Sequence, residues 1–297
     1  MTKLIARLAG AATVLTALTA MPVLAQQPEQ YTTFEKYGFC GSIDDSCYNA
    51  WYDRTSGDEE PWKVFIFSHV ATGVNPHDNR DAGVEALTEL LEGQGYEVTT
   101  SQDPADLESG FGLRPYDAIV FFNTGRDAVT SLGMMALRIY VEGGGGFVGI
   151  HNAFGTNFNS TWFEGLLGAQ LYDHGPRQAG TVIVESENDV SVAHLAEGTQ
   201  FSDEEFYNLN PDPRWLSDVR ILLSVDNASR EQGLAGYYGN PGMGETNPVS
   251  WCHYYDGGRA WLTTLGHSFE ILEDENWRQH VLGGIDSVMG KEPFCQD

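Results

Sequence analysis

Between residues 62 and 151 the period of the hydrophobic positions switches back and forth along the chain. Residues 63–68 are an apolar run of strand length. Residues 81–91 then place Ala82, Ala86, Leu87, Leu90 and Leu91 at helical spacing, and Gly93 and Gly95 end that helix. Strands follow at 96–100 and 117–122, and a second helix at 131–141. The run 141–153, Val-Glu-Gly-Gly-Gly-Gly-Phe-Val-Gly-Ile-His-Asn-Ala, closes the pattern with a helix end, a buried strand over 147–150 and a histidine at the strand's carboxyl end. Buried strands alternating with helices predict an α/β fold, a doubly wound, mostly parallel sheet covered on both faces. Open sheets of this kind bind ligands at the carboxyl ends of their strands, which puts His151 where chemistry would be done.

The second half is less regular. Residues 181–184 and 220–225 read as strands, 249–255 and 259–265 as strands flanking the hairpin signal Asp256-Gly257-Gly258, and 276–289 as a closing amphipathic helix. Residues 1–25 carry the parts of an export signal: Lys3 and Arg7, the apolar stretch 8–24, and the small-residue site Val23-Leu24-Ala25. Gly10, Thr16, Thr19 and Pro22 interrupt that stretch and no basic flank follows it, which argues against an anchor. No later apolar run approaches the length of a membrane span. The expected organisation is a signal peptide over 1–25, an aromatic-rich extension over 26–61, an α/β domain over 62–290 and a tail over 291–297. Such a chain is expected in the periplasm or outside the cell.

A net charge of -26 disfavours nucleic acid, anionic membranes and strongly anionic polysaccharides as partners. Cys40, Cys47, Cys252 and Cys295, an even number in an exported chain, favour disulfides. Of the three connectivities, Cys40–Cys47 with Cys252–Cys295 is the preferred one, and none of the four has Cys-x-x-Cys spacing.

Several separated motifs then occur in a fixed order. A loop ending in His77 follows the first strand, and Thr124-Gly125 follows the third. The glycine–strand–histidine run 144–153 comes next, then Trp162-Phe163 through Leu167-Gly168-Ala169 to His174, then Glu204-Glu205-Phe206-Tyr207. The last, 248–267, contains Trp251, Gly258-Arg259 and Leu265-Gly266-His267. Together, over roughly 62–290, they resemble the trehalose-utilisation, ThuA-like family, whose fold is related to class I glutamine-amidotransferase and flavodoxin-like sheets. Two departures stand out. Asp189-Val190 stands where the family usually has His-Pro, and the acidic pair is Glu-Glu rather than Asp-Glu, unless Asp203-Glu204 slides into register.

His77, His151, His174 and His267 all fall on matched motifs near strand ends. Neutral imidazoles with a carboxylate suit zinc or a similar divalent ion, and His151, His174, His267 and Glu204 are the candidate ligands. His151, His77, Glu205 and Tyr207 are the acid/base candidates, since imidazole and a tuned carboxylate can both move protons near neutrality. Asn152, Asn123, Trp162, Trp251 and Arg259 are candidate contacts to a sugar, with core packing the competing role for Trp251 and an acidic neighbour for Arg259. His253, His280 and His194 read as structural, and His69 as a reserve. The resemblance implies a carbohydrate-active enzyme of a glycoside or oligosaccharide, working through 3-keto intermediates by metal- or His-assisted acid/base chemistry. The alternative is a sugar-binding or scaffolding protein that keeps the fold. An amidase by fold analogy is a third reading, against which stands the absence of a cysteine at the strand-end turn.

Overall fold

A computed structural model describes residues 61–297. The export signal, nearly all of the extension and the Cys40–Cys47 pairing lie outside the described residues. Eleven strands are described: β1 Lys63–Phe67, β2 Glu97–Ser101, β3 Ala118–Phe122, β4 Gly146–Ile150, β5 Gln170–His174, β6 Gln178–Val184, β7 Gln200–Glu204, β8 Tyr207–Asn210, β9 Arg220–Asp226, β10 Thr246–Tyr255 and β11 Gly258–Thr263. The helices are α1 Arg80–Gly93, α2 Gly110–Leu113, α3 Ser131–Glu142, α4 Thr161–Leu167, α5 Phe269–Leu272 and α6 Glu275–Met289.

Nine strands form one sheet in the order β2-β1-β3-β4-β11-β10-β9-β6-β7, and β5 pairs with β8 in a separate ribbon. The block from β2 to β11 is parallel throughout, while β10, β9, β6 and β7 continue it antiparallel. The order 2-1-3-4 is that of a flavodoxin-like sheet, with its reversal between β1 and β3. Every residue of β3 and β4 is buried, because helices cover both faces. On one face Leu87 and Leu91 of α1 and Val281 and Ile285 of α6 pack on Ile66, Val120 and Val148. On the other, Leu137 and Val141 of α3 and Phe163 of α4 pack on Phe67, Phe121 and Phe147.

Local chemistry sets the element ends. Thr130 caps α3 through its side chain, and Asp274 caps α6 by accepting from Asn276 and Trp277 N–H. The glycine cluster before β4 has a packing reason at Gly146. A Cβ there would meet the Asp117 and Val288 carbonyl oxygens at 2.8 and 2.9 Å, backbone atoms that cannot rotate away. Cys252 and Cys295 form a disulfide, tying the tail to β10 as expected.

β5, β7, β8 and α4 were not visible as periodic segments. Gln170–His174 and Gln200–Glu204 carry mixed polar residues, and their strand form comes from pairing, not from pattern. Asp189, at the first departure from the family pattern, is buried and structural. It accepts from Ser191 N–H and Oγ and from Gln296 N–H, which ties down the tail.

His280 is buried as expected of a structural residue. Its Nδ1 bonds Ser191 O at 2.8 Å, its Nε2 lies 3.3 Å from Thr263 Oγ1, and its ring is 4.7 Å from that of Trp261. Burial lowers its pKa to about 3. The unfolded chain therefore takes up a proton near the ordinary value of 6.5 while the folded one resists it. The stabilisation is complete above pH 6.5 and is lost progressively as pH falls toward 3. In urea unfolding, the native chain should lose up to about 1.4 kcal/mol more per pH unit than His280→Gln across this window. Equal pH slopes would refute the assignment.

Candidate functional site

Four loops converge at the carboxyl edge of the parallel block. His77 lies in the loop between β1 and α1, His151 follows β4, His267 follows β11, and Glu205 sits between β7 and β8. The strand ends turn abruptly here: Asn123 after β3 and His151 after β4 have φ of 49° and 51°. Non-glycine residues rarely adopt that region, and such strain gathers at functional sites.

The four side chains form one cluster, each offering a donor atom within 4.8 Å of the others. His151 Nε2 is 3.1 Å from His267 Nδ1 and 3.7 Å from Glu205 Oε2, and His267 Nδ1 is 3.2 Å from the same oxygen. The His77 ring stands edge-on to both, with centroids 4.8 Å from His151 and 4.9 Å from His267. Burial, reinforced by the neighbouring imidazoles, lowers His151 well below 6.5 and His77 to about 4, so both are neutral near pH 7. Burial opposes ionisation of Glu205, but the hydrogen bond and charge of His267, then His174 and His77, hold it below the ordinary carboxylate value.

The donor set fits a divalent cation. His151 Nδ1 lies 2.7 Å from the Thr264 carbonyl, which can only accept, so the ring proton is on Nδ1 and Nε2 presents a lone pair. That lone pair lies 3.7 Å from the Glu205 carboxylate, and a cation held between the two would accept both. Tetrahedral zinc with bonds of about 2.0–2.1 Å needs donor separations of about 3.3 Å, a value the observed spacings bracket.

A second layer of residues holds the cluster. Glu204 is fully buried and accepts the N–H groups of Gly266, His267 and Ser268 at 3.0–3.5 Å. Burial pushes its pKa up to about 7, partly opposed by those donors. The Tyr207 hydroxyl is 3.0 Å from His151 Nε2, and burial with the nearby Glu205 raises its pKa well above 10, so it stays protonated. Asn79 donates to the Gly266 and Ser268 carbonyls and accepts from Asn123. His174, partly exposed, lies with Nδ1 3.5 Å from Glu205 Oε1, and Tyr237 stands edge-on to it at 5.5 Å.

The structure thus brings together His77, His151, His174, His267, Glu204, Glu205 and Tyr207. It exchanges two expected positions: Glu205 faces the imidazoles, whereas Glu204 turns into the loop after β11, and His77 joins the cluster from which His174 stands aside. Asp203 pairs with Arg177 at the surface, so the register is Glu204-Glu205. Asn123 turns inward to Asn79, and Asn152 lies beside the centre with its N–H on Asn123 Oδ1.

The other sugar contacts expected from sequence need correction. Trp251 is fully buried, donating to Leu167 O, because its strand lies under α4. Trp162 bonds Asp256 and Arg259 lies against Val288 and Gly290; both are at the hairpin end of β11, opposite to His267. His69 bonds Gln102 O; His253 and His194 bond the Leu166 and Asn276 carbonyls. Asn79 and Tyr237 escaped sequence reasoning, since neither lies in a periodic or metal-spaced motif.

The model of the family described as trehalose utilisation matches residues 63–286. The chain belongs to the ThuA family. Its sheet is also that of solved ThuA-like proteins. One from Bacteroides uniformis is 23% identical, with a TM-score of 0.67 over 81% of this chain and 96% of that one. Another, from Parabacteroides merdae, is 17% identical, with a TM-score of 0.62 over 80% and 95%. The cytoplasmic protein STM1381 from Salmonella typhimurium LT2 is 12% identical, with a TM-score of 0.53 over 76% and 99%. These likenesses concern the ThuA fold alone. Among curated proteins none matches.

Proposed function

We propose that this ThuA chain is an exported enzyme that cleaves or converts a glycoside carrying a 3-keto group, using a divalent metal held by His77, His151, His267 and Glu205. The observation that carries the reading is the convergence of three imidazoles and one carboxylate within 4.8 Å at the ligand-binding edge of the sheet. A divalent ion bound there would supply a Lewis acid for a carbonyl oxygen. A 3-keto group acidifies the adjacent C2–H, and loss of that proton allows the C1–O bond to break while the leaving oxygen takes up a proton. His174, outside the four-ligand set and partly exposed, is the group free to move a proton at the rim. Tyr207, held protonated by burial with its hydroxyl 3.0 Å from His151 Nε2, would turn that hydroxyl to a substrate oxygen once Nε2 binds the ion. Export is supported by the Cys252–Cys295 disulfide, a bond that persists in oxidising compartments, and no described helix is long and apolar enough to cross a membrane.

The test is incubation of the protein with 3-ketotrehalose, with and without chelator, following the anomeric protons by NMR. Chelator-sensitive loss of the glycosidic signal is expected. An unchanged spectrum with zinc-loaded protein would sink this activity and favour a sugar-binding role.

A further inference from the structure

Beside the histidine centre the β5–β8 ribbon carries a groove of about 480 Å³ that the chemistry above does not use. Tyr172 and Trp215 form part of its wall, 52% and 78% exposed, with Asn210, Asn240 and Met243 among the other lining residues. An indole so exposed gains nothing from the core. The turn that carries it is nevertheless held in place. Asp212 accepts Arg214 N–H and grips the Arg214 guanidinium, which also donates to the carbonyls of Met243 and Thr246. That clamp pins the turn Pro213–Trp215 to the carbonyls of Met243 and Thr246, and Met243 also lines the groove.

The polar groups around the rings are amides. Asn240 has its Oδ1 engaged by Gly242 N–H, so its NH₂ is the part left to donate, and Asn210 is an exposed residue at the end of β8. Asp212 is neutralised by Arg214, so the groove offers no free carboxylate to bind a cation. The chain's charge of -26 repels anions. Aromatic faces flanked by uncharged amides match a neutral sugar ring, whose C–H face is apolar and whose edge carries hydroxyls.

The groove is also coupled to the centre. Tyr172 and His174 are two residues apart on β5, with a break in the β5–β8 register between Leu171 and Asp173. The loop 236–240 joins the two places: Tyr237 N–H donates to His174 O, and Tyr238 and Asn240 N–H donate to the buried Asp173 carboxylate. Tyr237 thus borders the centre while Asn240 lines the groove.

We propose that the groove between Tyr172 and Trp215 is a second saccharide site, taking one neutral sugar unit of an oligosaccharide whose neighbouring unit reaches the histidine centre. Only the last clause rests on the glycoside-converting reading; the binding does not. The test is titration of the full chain with maltotetraose and with cellotetraose, read by tryptophan fluorescence and by saturation-transfer NMR. At least one should bind, with affinity about tenfold weaker or worse in Trp215→Ala and in Tyr172→Ala, and unchanged in Asp203→Ala. Conversion of 3-ketotrehalose by the native chain is assayed separately: groove binding without turnover would sink only the last clause, so loss of groove binding and loss of the catalytic reading are separable. No binding of either tetrasaccharide at about 10 mM would overturn the proposal. So would native affinity in both aromatic variants.

Discussion

His151→Ala should abolish specific zinc binding and turnover together, while the fold survives. In the native centre His151 presents its Nε2 lone pair because Thr264 O holds the proton on Nδ1. Alanine removes both the donor and its orientation, leaving two imidazoles and one carboxylate from the four-residue set. Even residues that merely orient a ligand cost 10- to 100-fold in affinity, so loss of a ligand should cost at least ~100-fold. Zinc at a hundredfold excess over its dissociation constant should stabilise the native protein by about 2.7 kcal/mol, and the variant by almost nothing at the same concentration. Thermal melts with and without zinc make the comparison, beside zinc content after dialysis. A variant that keeps the native zinc-induced shift would remove His151 from the ligand set.

Glu204→Ala should be the most destabilising change at this edge of the sheet, although Glu204 is not among the converging donors. Its carboxylate accepts from Gly266, His267 and Ser268, and it is completely buried. Without it three backbone N–H groups lose their acceptor in a place water does not reach, a cost of about 3–5 kcal/mol. The loop that aims His267 would also lose its anchor, so zinc affinity should fall about 10- to 100-fold. Glu204→Gln keeps one carbonyl acceptor and should be intermediate. Asp203→Ala, next in sequence but paired with Arg177 at the surface, should cost less than about 1 kcal/mol. Urea midpoints of the three variants decide the matter; equal midpoints for Glu204→Ala and Asp203→Ala would mean the loop holds itself.

Much of the parallel block was legible from the chain, for a reason particular to it. β1, β3 and β4 are buried on both faces, so their composition is apolar but for Lys63 at the start of β1, and the intervening helices show a clear period. Their carboxyl ends follow from that pattern, and with them the location of His77 and His151. The ribbon and β7 were not legible, because Gln170–His174, Gln200–Glu204 and Tyr207–Asn210 owe their form to pairing partners far along the chain.

The sequence by itself determined the α/β class, the edge at which a site would form, and the histidine and carboxylate types from which it is built. Only the tertiary structure decided which of two adjacent glutamates faces the imidazoles, because successive residues leaving β7 point in different directions and burial selects between them. It decided likewise that Trp251 serves the core while Trp215, unremarked in the sequence, stands exposed on a pinned turn. Composition gives a residue's chemistry; the packing around it settles whether that chemistry is spent inside the protein or offered to a ligand.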